Sequence, residues 1–493
     1  MIHLDGTSLT IEQAVRVTGQ AEPTAPTEDA RERVERCAAF VERIVREGRR
    51  VYGINTGLGR LSTEAIPRDQ LPQLQHNLLH SHACGVGEEL SADVARAALL
   101  FRLNTLLKGH SGVRPIVVDR LTTLLNEGVA PVIPRQGSLG SSGDLAPLAH
   151  VALLLIGEGE AVVRDRRHHG AELLHELNLE PLSLAPKEGL ALINGTQVSL
   201  AMAFTAYRIG QRLWDHALLI AGMALEAAGA RSDPLDPRLH AHHEGQRLVA
   251  ERLREITSGS RLLDASADVQ DPYSLRCLPQ ILGACGESLR HVKAALEREM
   301  NAVTDNPLLF PETDEICSGG NFHGASLALA SESLGVALAE LGNAAERRTN
   351  LVLNHADFPP FLAQQPGLES GLMIAQYTSA SLVAENKVLV HPAAVDSIPT
   401  SGGKEDHNSL ASVAAWKAHQ MAQNAEWMAA IELLTVVGAL DNRDRGAMSR
   451  HVGRLYDRVR ERIAPSADDR PLHEAIRTGR AMIREGALLH GHA

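Results

Sequence analysis

Aromatic side chains are scarce in this sequence, at 3% of 493 residues, and only five of them are tyrosines. Each tyrosine is therefore worth placing, and two of them, Tyr52 and Tyr273, fall inside segments of unusual composition. Cysteine is also sparse. The five present (Cys37, Cys84, Cys277, Cys285, Cys317) form an odd set with no C-x-x-C pair, which argues against a disulfide frame or a zinc site and for free thiols in a reducing compartment. A cationic excess is missing as well: the formal charge of -12 argues against a nucleic-acid or anionic-membrane partner, which would want a basic face. No long hydrophobic run is present. The longest apolar stretch, near residues 145–156, is interrupted by His150 and is too short to span a bilayer. Asp5 stands where a basic-then-apolar leader would begin, so a cytoplasmic protein is expected. A low-complexity linker and a repeat of fixed period are both absent.

What is there is helical pattern. Apolar positions recur at helical spacing over residues 324–352, 281–302, 374–390 and 409–440, in long Ala- and Leu-rich runs of the kind that pack side by side in a bundle. The first 225 or so residues read as shorter helices broken by Gly, Asn and Pro. The expected division is an N-terminal domain over 1–225 and a helical bundle over 226–493. Six polar, glycine-rich segments punctuate the helices: Tyr52-Gly-Ile-Asn-Thr-Gly-Leu-Gly59, Gly137-Ser-Leu-Gly-Ser-Ser-Gly-Asp-Leu-Ala-Pro147, Asn194-Gly-Thr, Val269-Gln-Asp-Pro-Tyr-Ser-Leu-Arg276, Ser318-Gly-Gly-Asn-Phe-His323 and Ser401-Gly-Gly-Lys-Glu-Asp-His407. Loops on a rigid helical frame are where chemistry tends to sit.

Ser141-Ser142-Gly143 can be read in two ways. It is a Gly/Ser turn capping the helix that starts near Leu145. It is also a sequence able to cyclise, because a glycine allows Gly143 N to approach the Ser141 carbonyl carbon. Loss of the Ser142 hydroxyl after ring closure leaves an exocyclic methylidene, an electrophile that no ordinary side chain provides. The longer run Gly-Ser-Leu-Gly-Ser-Ser-Gly-Asp-Leu-Ala-Pro-Leu resembles the signature of the aromatic amino acid ammonia-lyases and aminomutases, and all six segments occur in that family's order. The family's triplet is usually Ala-Ser-Gly and becomes 4-methylidene-imidazol-5-one (MIO), so the resemblance implies MIO formed autocatalytically from Ser141, Ser142 and Gly143. Ser141 in place of Ala changes only a ring substituent. Helical lyases of the fumarase type also carry a Gly-Ser-Ser loop, but Asp144-Leu145-Ala146 replaces the Met-Pro that follows it there.

The resemblance implies a mainly α fold, a long-helix bundle with an MIO-bearing N-terminal portion, assembled as a homotetramer whose active sites combine loops from several subunits. It makes Tyr52 the base that removes the substrate's β-proton. A free tyrosine, with a pKa of about 10, is a poor base near neutrality, so that role needs help from the surroundings. The resemblance gives Arg276 the substrate carboxylate, which a guanidinium holds with two parallel hydrogen bonds. It sets Asn194, Gln270 and Tyr273 around the prosthetic group and the amine, and Phe322 beside the electrophile. Read without the family, Arg276 is equally an interhelical ion-pair partner, and Tyr52, His82 and Phe322 are interior packing residues.

Substrate choice rests on two places. Histidine-specific members read Ser-His where this chain has Ser81-His82, and they carry Glu where Glu405 stands. An imidazole can hydrogen-bond another imidazole, and a carboxylate can accept its N–H, whereas a benzene or phenol ring leaves that charge unpaired. The pattern departs from the family at His80, where Arg is more usual. It departs again at Gly402-Gly403 and Lys404, in place of Ala-Asn and Gln, and at Asn408, in place of an apolar residue. Lys404 either faces the substrate and partly neutralises Glu405 or projects into solvent. The expected reaction is elimination of ammonia from L-histidine to give urocanate, with a small-molecule amino acid as the only partner besides further copies of the chain. The alternatives are a histidine 2,3-aminomutase giving β-histidine, an MIO lyase for another aromatic amino acid, and a non-catalytic scaffold that kept the fold. No metal site is read: His240-Ala-His242-His243-Glu244 has metal-like composition but lies in a Pro-flanked polar loop.

Overall fold

The chain is mostly helical, with 60% of it in helix, and the computed structural model describes residues 1–266, 268–465 and 469–489. Its helices include α1 (Leu71–His82), α2 (Leu145–Leu153), α3 (Gln197–Ala227), α4 (Leu278–Met300), α5 (Ala325–Leu353), α6 (Met373–Leu389) and α7 (Ala411–Leu440). The four long helices read from the sequence correspond to α4 to α7, with ends within three residues of those expected. Helix α3 was not expected. It lies where shorter, broken helices were expected, and its 31 residues contain Gly210 and Gly222, as α5 contains Gly335 and Gly342. Each costs only about 1 kcal/mol against alanine, and burial along an Ala- and Leu-rich helix outweighs that.

Contacts group the chain into two compact units. The first holds residues 1–205, 293–332 and 392–416; the second holds 206–292, 333–391 and 417–493. The chain returns twice to the first unit. Four of the five boundaries fall inside α3, α4, α5 and α7, where the helix runs on unbroken, and the fifth lies just past the end of α6.

The first unit adds four small sheets to its helices. Ile2–Leu4 pairs in parallel with Thr24–Pro26, and Val86–Glu89 pairs antiparallel with Pro134–Gln136. Glu160–Val163 lies between Ala130–Pro131 and Arg166–His169, with Glu160 opposite His169, and Leu308–Phe310 pairs with Glu315–Cys317. Cys37, Phe40, Val41, Ile44, Ile54 and Leu309 form one of its apolar clusters. The second unit packs around Leu253, Ile256, Leu278, Leu282, Val436, Val437 and Leu455. Arg348 and Glu432, both fully buried there, form a two-bond ion pair, the geometry that makes a buried charge tolerable. The segment Asn321–Leu353 is long and apolar enough to cross a membrane by length and composition, but half of that window is buried within the protein, as in a core helix.

Candidate active site

The loop 137–144 is fastened by one buried carboxylate. Asp144 accepts from Ser199 N at 2.7 Å and Ser199 Oγ at 2.6 Å, in the first turn of α3, and from Ser138 Oγ at 2.9 Å. A carboxylate at a helix N-terminus meets unpaired N–H groups and the positive end of the helix dipole. Burial nevertheless pushes the Asp144 carboxyl above its ordinary range, because the hydrogen bonds from Ser199 and Ser138 only partly offset the lost solvation. Asp144 N also donates to Gly195 O at 2.7 Å, so the loop runs beside the Asn194-Gly195 turn. Gly143 has φ +72°, and a Cβ there would collide with the Gly195 carbonyl, so only glycine fits. Asn194 Nδ2 donates to Ser142 O at 2.6 Å.

These features fit an MIO group built from residues 141–143. The third residue is a glycine pressed against backbone, the oxygen of the second is already held by a buried amide, and the Ser142 side chain faces a cavity. The cavity has a volume of about 660 Å³ and is lined by Tyr52, Leu74, Asn77, Leu78, Ser81, His82, Ser142, Leu190, Asn194, Asn306, Phe322 and Glu405, among others. Every one of these residues belongs to the first unit.

Glu405 is the charged group of this cavity. Thr400 and Glu405 close a short hairpin, with Thr400 N donating to Glu405 O at 2.9 Å, and Gly402 and Gly403 turn it with φ +62° and +82°. Both positions have the left-handed backbone that glycine adopts without strain. The Glu405 carboxylate accepts from Ser142 Oγ at 2.6 Å, Ser141 Oγ at 2.8 Å and Thr400 Oγ1 at 2.6 Å. Burial alone would raise its pKa, but the three hydroxyl donors together outweigh burial and hold it below the usual carboxylate range. Asn408 stitches the hairpin shut: it is buried, its N–H donates to Ser397 Oγ at 2.7 Å, and its side-chain amide donates to Ile398 O and Thr400 Oγ1. An apolar residue at 408 would leave those acceptors unpaired.

The remaining residues read from the sequence divide into two sets. Tyr52 lines the cavity and its hydroxyl accepts from Gly59 N at 3.3 Å, within its own glycine loop. His82 ends α1, with Nδ1 3.0 Å from Ser81 Oγ, and burial pushes its pKa down so that the ring is neutral near pH 7. Lys404 is exposed and lies outside the cavity wall, which is the solvated placement of the two considered. Gln270 and Arg276 border a separate hollow of about 320 Å³ in the second unit, with Arg276 stacked 4.9 Å from the ring of exposed Tyr273. His240 is buried and bonded to Pro234 O at 2.8 Å, an interior histidine with an ordinary partner.

Three positioning residues escaped the sequence reading. Asp144 was noted only as part of a motif, and Thr400 carries no signal of its own. Arg102 is fully buried and donates to Asn194 O at 2.9 Å and Ala191 O at 3.0 Å, fixing the turn that holds Ser142. An arginine in the middle of the apolar helix Ala92–Leu106 was the available signal, since buried arginines are rare unless paired.

Residues 9–461 match the sequence profile of aromatic amino acid lyases. The chain belongs to the aromatic amino acid lyase family. It is 49% identical to the histidine ammonia-lyase of Symbiobacterium thermophilum over 98% of this chain and 97% of that one. Among solved structures it resembles the histidine ammonia-lyase from Trypanosoma cruzi, with a TM-score of 0.92 and 38% identity over 99% and 94% of the two chains. It also resembles a tyrosine aminomutase from Streptomyces globisporus, with a TM-score of 0.94 and 35% identity over 99% and 97%. Membership makes this aromatic amino acid lyase a carbon–nitrogen lyase, from a family that uses MIO.

Proposed function

We propose that this chain is a histidine ammonia-lyase, converting L-histidine to urocanate and ammonia with an MIO electrophile formed from Ser141, Ser142 and Gly143. The observation that carries the reading is the meeting of a neutral His82, an ionised Glu405 and Ser142 around one cavity. The prosthetic group supplies an electron-poor carbon that makes the substrate's amine a good leaving group. Glu405 accepts an imidazole N–H and stabilises the positive character that the ring gains as the β-proton becomes acidic. Neutral His82 offers the same ring a partner without a second fixed charge. Tyr52 takes the β-proton, and the electron pair of that C–H bond forms the double bond as the C–N bond breaks. Asn194 holds the loop oxygen in place, and Phe322 packs beside the reacting centre.

Arg276 clamps the substrate carboxylate, and Gln270 and Tyr273 flank the amine. These three belong to the second unit, and we assign their delivery to assembly of the chain as a homotetramer with shared sites. Exposed Val269 and Tyr273 next to Arg276 support that reading, since apolar groups left bare on a loop mark a surface awaiting a partner.

Incubation with L-histidine, followed by NMR of the products and an ammonia assay, tests the proposal. Urocanate with equimolar ammonia is the expected result. The likeness to an aminomutase favours one second reading, re-addition of the amine at the β-carbon. β-Histidine with little free ammonia would establish it, and turnover of tyrosine or phenylalanine in preference to histidine would overturn the role of His82 and Glu405.

A further inference from the structure

Helix α1 carries the cavity wall on one side and a second cluster on the other. Leu74, Asn77, Leu78, Ser81 and His82 face the cavity. At about 100° per residue, His76 and His80 fall on the opposite side, one turn apart. Glu158 meets them from the turn before strand Glu160–Val163, where its N–H is held by Leu153 O at 2.9 Å. His80 Nε2 is 2.7 Å from one Glu158 oxygen and His76 Nε2 is 3.5 Å from the other. The two rings lie 4.0 Å apart, and one donor atom from each of the three residues lies within 4.8 Å of the others.

We infer that His76, His80 and Glu158 form a binding site for a divalent transition-metal cation of the Zn²⁺ class. Two imidazoles four residues apart on a helix plus one carboxylate are a common donor set for that ion, with bonds of about 2.0–2.2 Å. Donors around a tetrahedral ion of that size sit roughly 3.3 Å apart, and the donor atoms here already lie within 4.8 Å of one another. The three side chains are each 44% exposed, which leaves room for water to complete the coordination. A second cluster, His168 with Glu172 and Glu176, is a poorer candidate, because Arg166 already pairs with both of its carboxylates. The bound ion ties the far side of α1 to the Glu158 turn. It braces the helix that presents His82 while touching no group of the cavity.

Zinc titration of the untagged, chelator-stripped full chain against a competing chromophoric chelator tests the site. The expected result is one tight equivalent per chain with a rise in the midpoint of thermal unfolding. His80→Arg, which places a guanidinium beside Glu158 but has no lone pair to give, and His76→Ala each weaken binding at least about tenfold. The Glu172→Gln/Glu176→Gln variant keeps the equivalent, and lyase activity serves as the folding control for all three. Absence of a tight equivalent, unchanged binding in His80→Arg and His76→Ala, or loss of binding only in the Glu172→Gln/Glu176→Gln variant would overturn the inference.

Discussion

In the first unit, the loop 137–144 is held from several sides: Asp144 on Ser199, Gly143 against Gly195, Asn194 on Ser142, and both serine hydroxyls on Glu405. In the second unit, the loop 269–276 is held at Asp271, which accepts from Arg231 N at 2.7 Å, while Val269 is 90% and Tyr273 is 68% exposed. Both loops carry residues that the resemblance assigns to one active site. A loop whose polar atoms are already paired has its geometry set before substrate arrives. The loop 269–276 instead leaves the Tyr273 ring exposed, with Arg276 half-buried beside it. Two carboxylates also differ: hydroxyl donors hold half-buried Glu405 down, whereas burial pushes Glu226 up to about 7 despite its bonds from Ser449, as it pushes Asp144 up in the first unit.

The largest expected effect is that of Ser142→Ala, which removes the hydroxyl lost in ring formation. Activity should fall by at least about 10³-fold, and intact mass should show the wild-type loss of two waters gone. Arg276→Lys should lower kcat/KM by roughly 10²-fold, chiefly through KM, because an ammonium cannot make the two-bond clamp. Its intact mass should still show the two-water loss, separating the two loops. Glu405→Gln should cost roughly 10²-fold on histidine and much less on phenylalanine, measured as a ratio of kcat/KM values. Thr400→Val removes one of the two donors to Glu405 that outlast ring formation, the other being Ser141, and should raise the apparent acid-limb pKa of kcat, with a loss of only about tenfold near neutrality.

The smallest effect concerns stability. Between about pH 4.5 and 7 the native state keeps a proton on Glu226 that the unfolded chain has released, so stability falls as pH rises through that window. Denaturant unfolding of Glu226→Gln should match wild type at pH 4 and exceed it at pH 8 by roughly 1–3 kcal/mol. Equal stabilities at pH 8 would mean that Glu226 is ionised at little cost.

The positions of α4 to α7 were legible because their apolar period is long and uninterrupted. Helix α3 was not, because it begins directly behind the Asn194-Gly195 break, inside a region read as shorter helices. The cavity members Tyr52, Ser142, Asn194, Phe322 and Glu405 stood in glycine-rich punctuations, His82 was singled out by the resemblance, and the fold brings all six to one place. Arg102 and Thr400 act through side-chain hydrogen bonds to residues distant in the chain or across a turn, and spacing along a sequence carries no trace of such bonds. The direction of Lys404 was undecidable for a related reason. It depends on a hairpin whose turn is set by Gly402 and Gly403.

Co-expression of Ser142→Ala chains with Arg276→Gln chains tests the division of the site most directly. Each variant alone should be nearly inactive. If one copy supplies the loop 137–144 and another supplies the loop 269–276, random mixed assemblies regain about a quarter of their sites intact, and urocanate formation returns to that fraction of wild type. Activity no higher than the sum of the two separate variants would mean that both loops serve a site from the same chain, and the proposed sharing would be wrong.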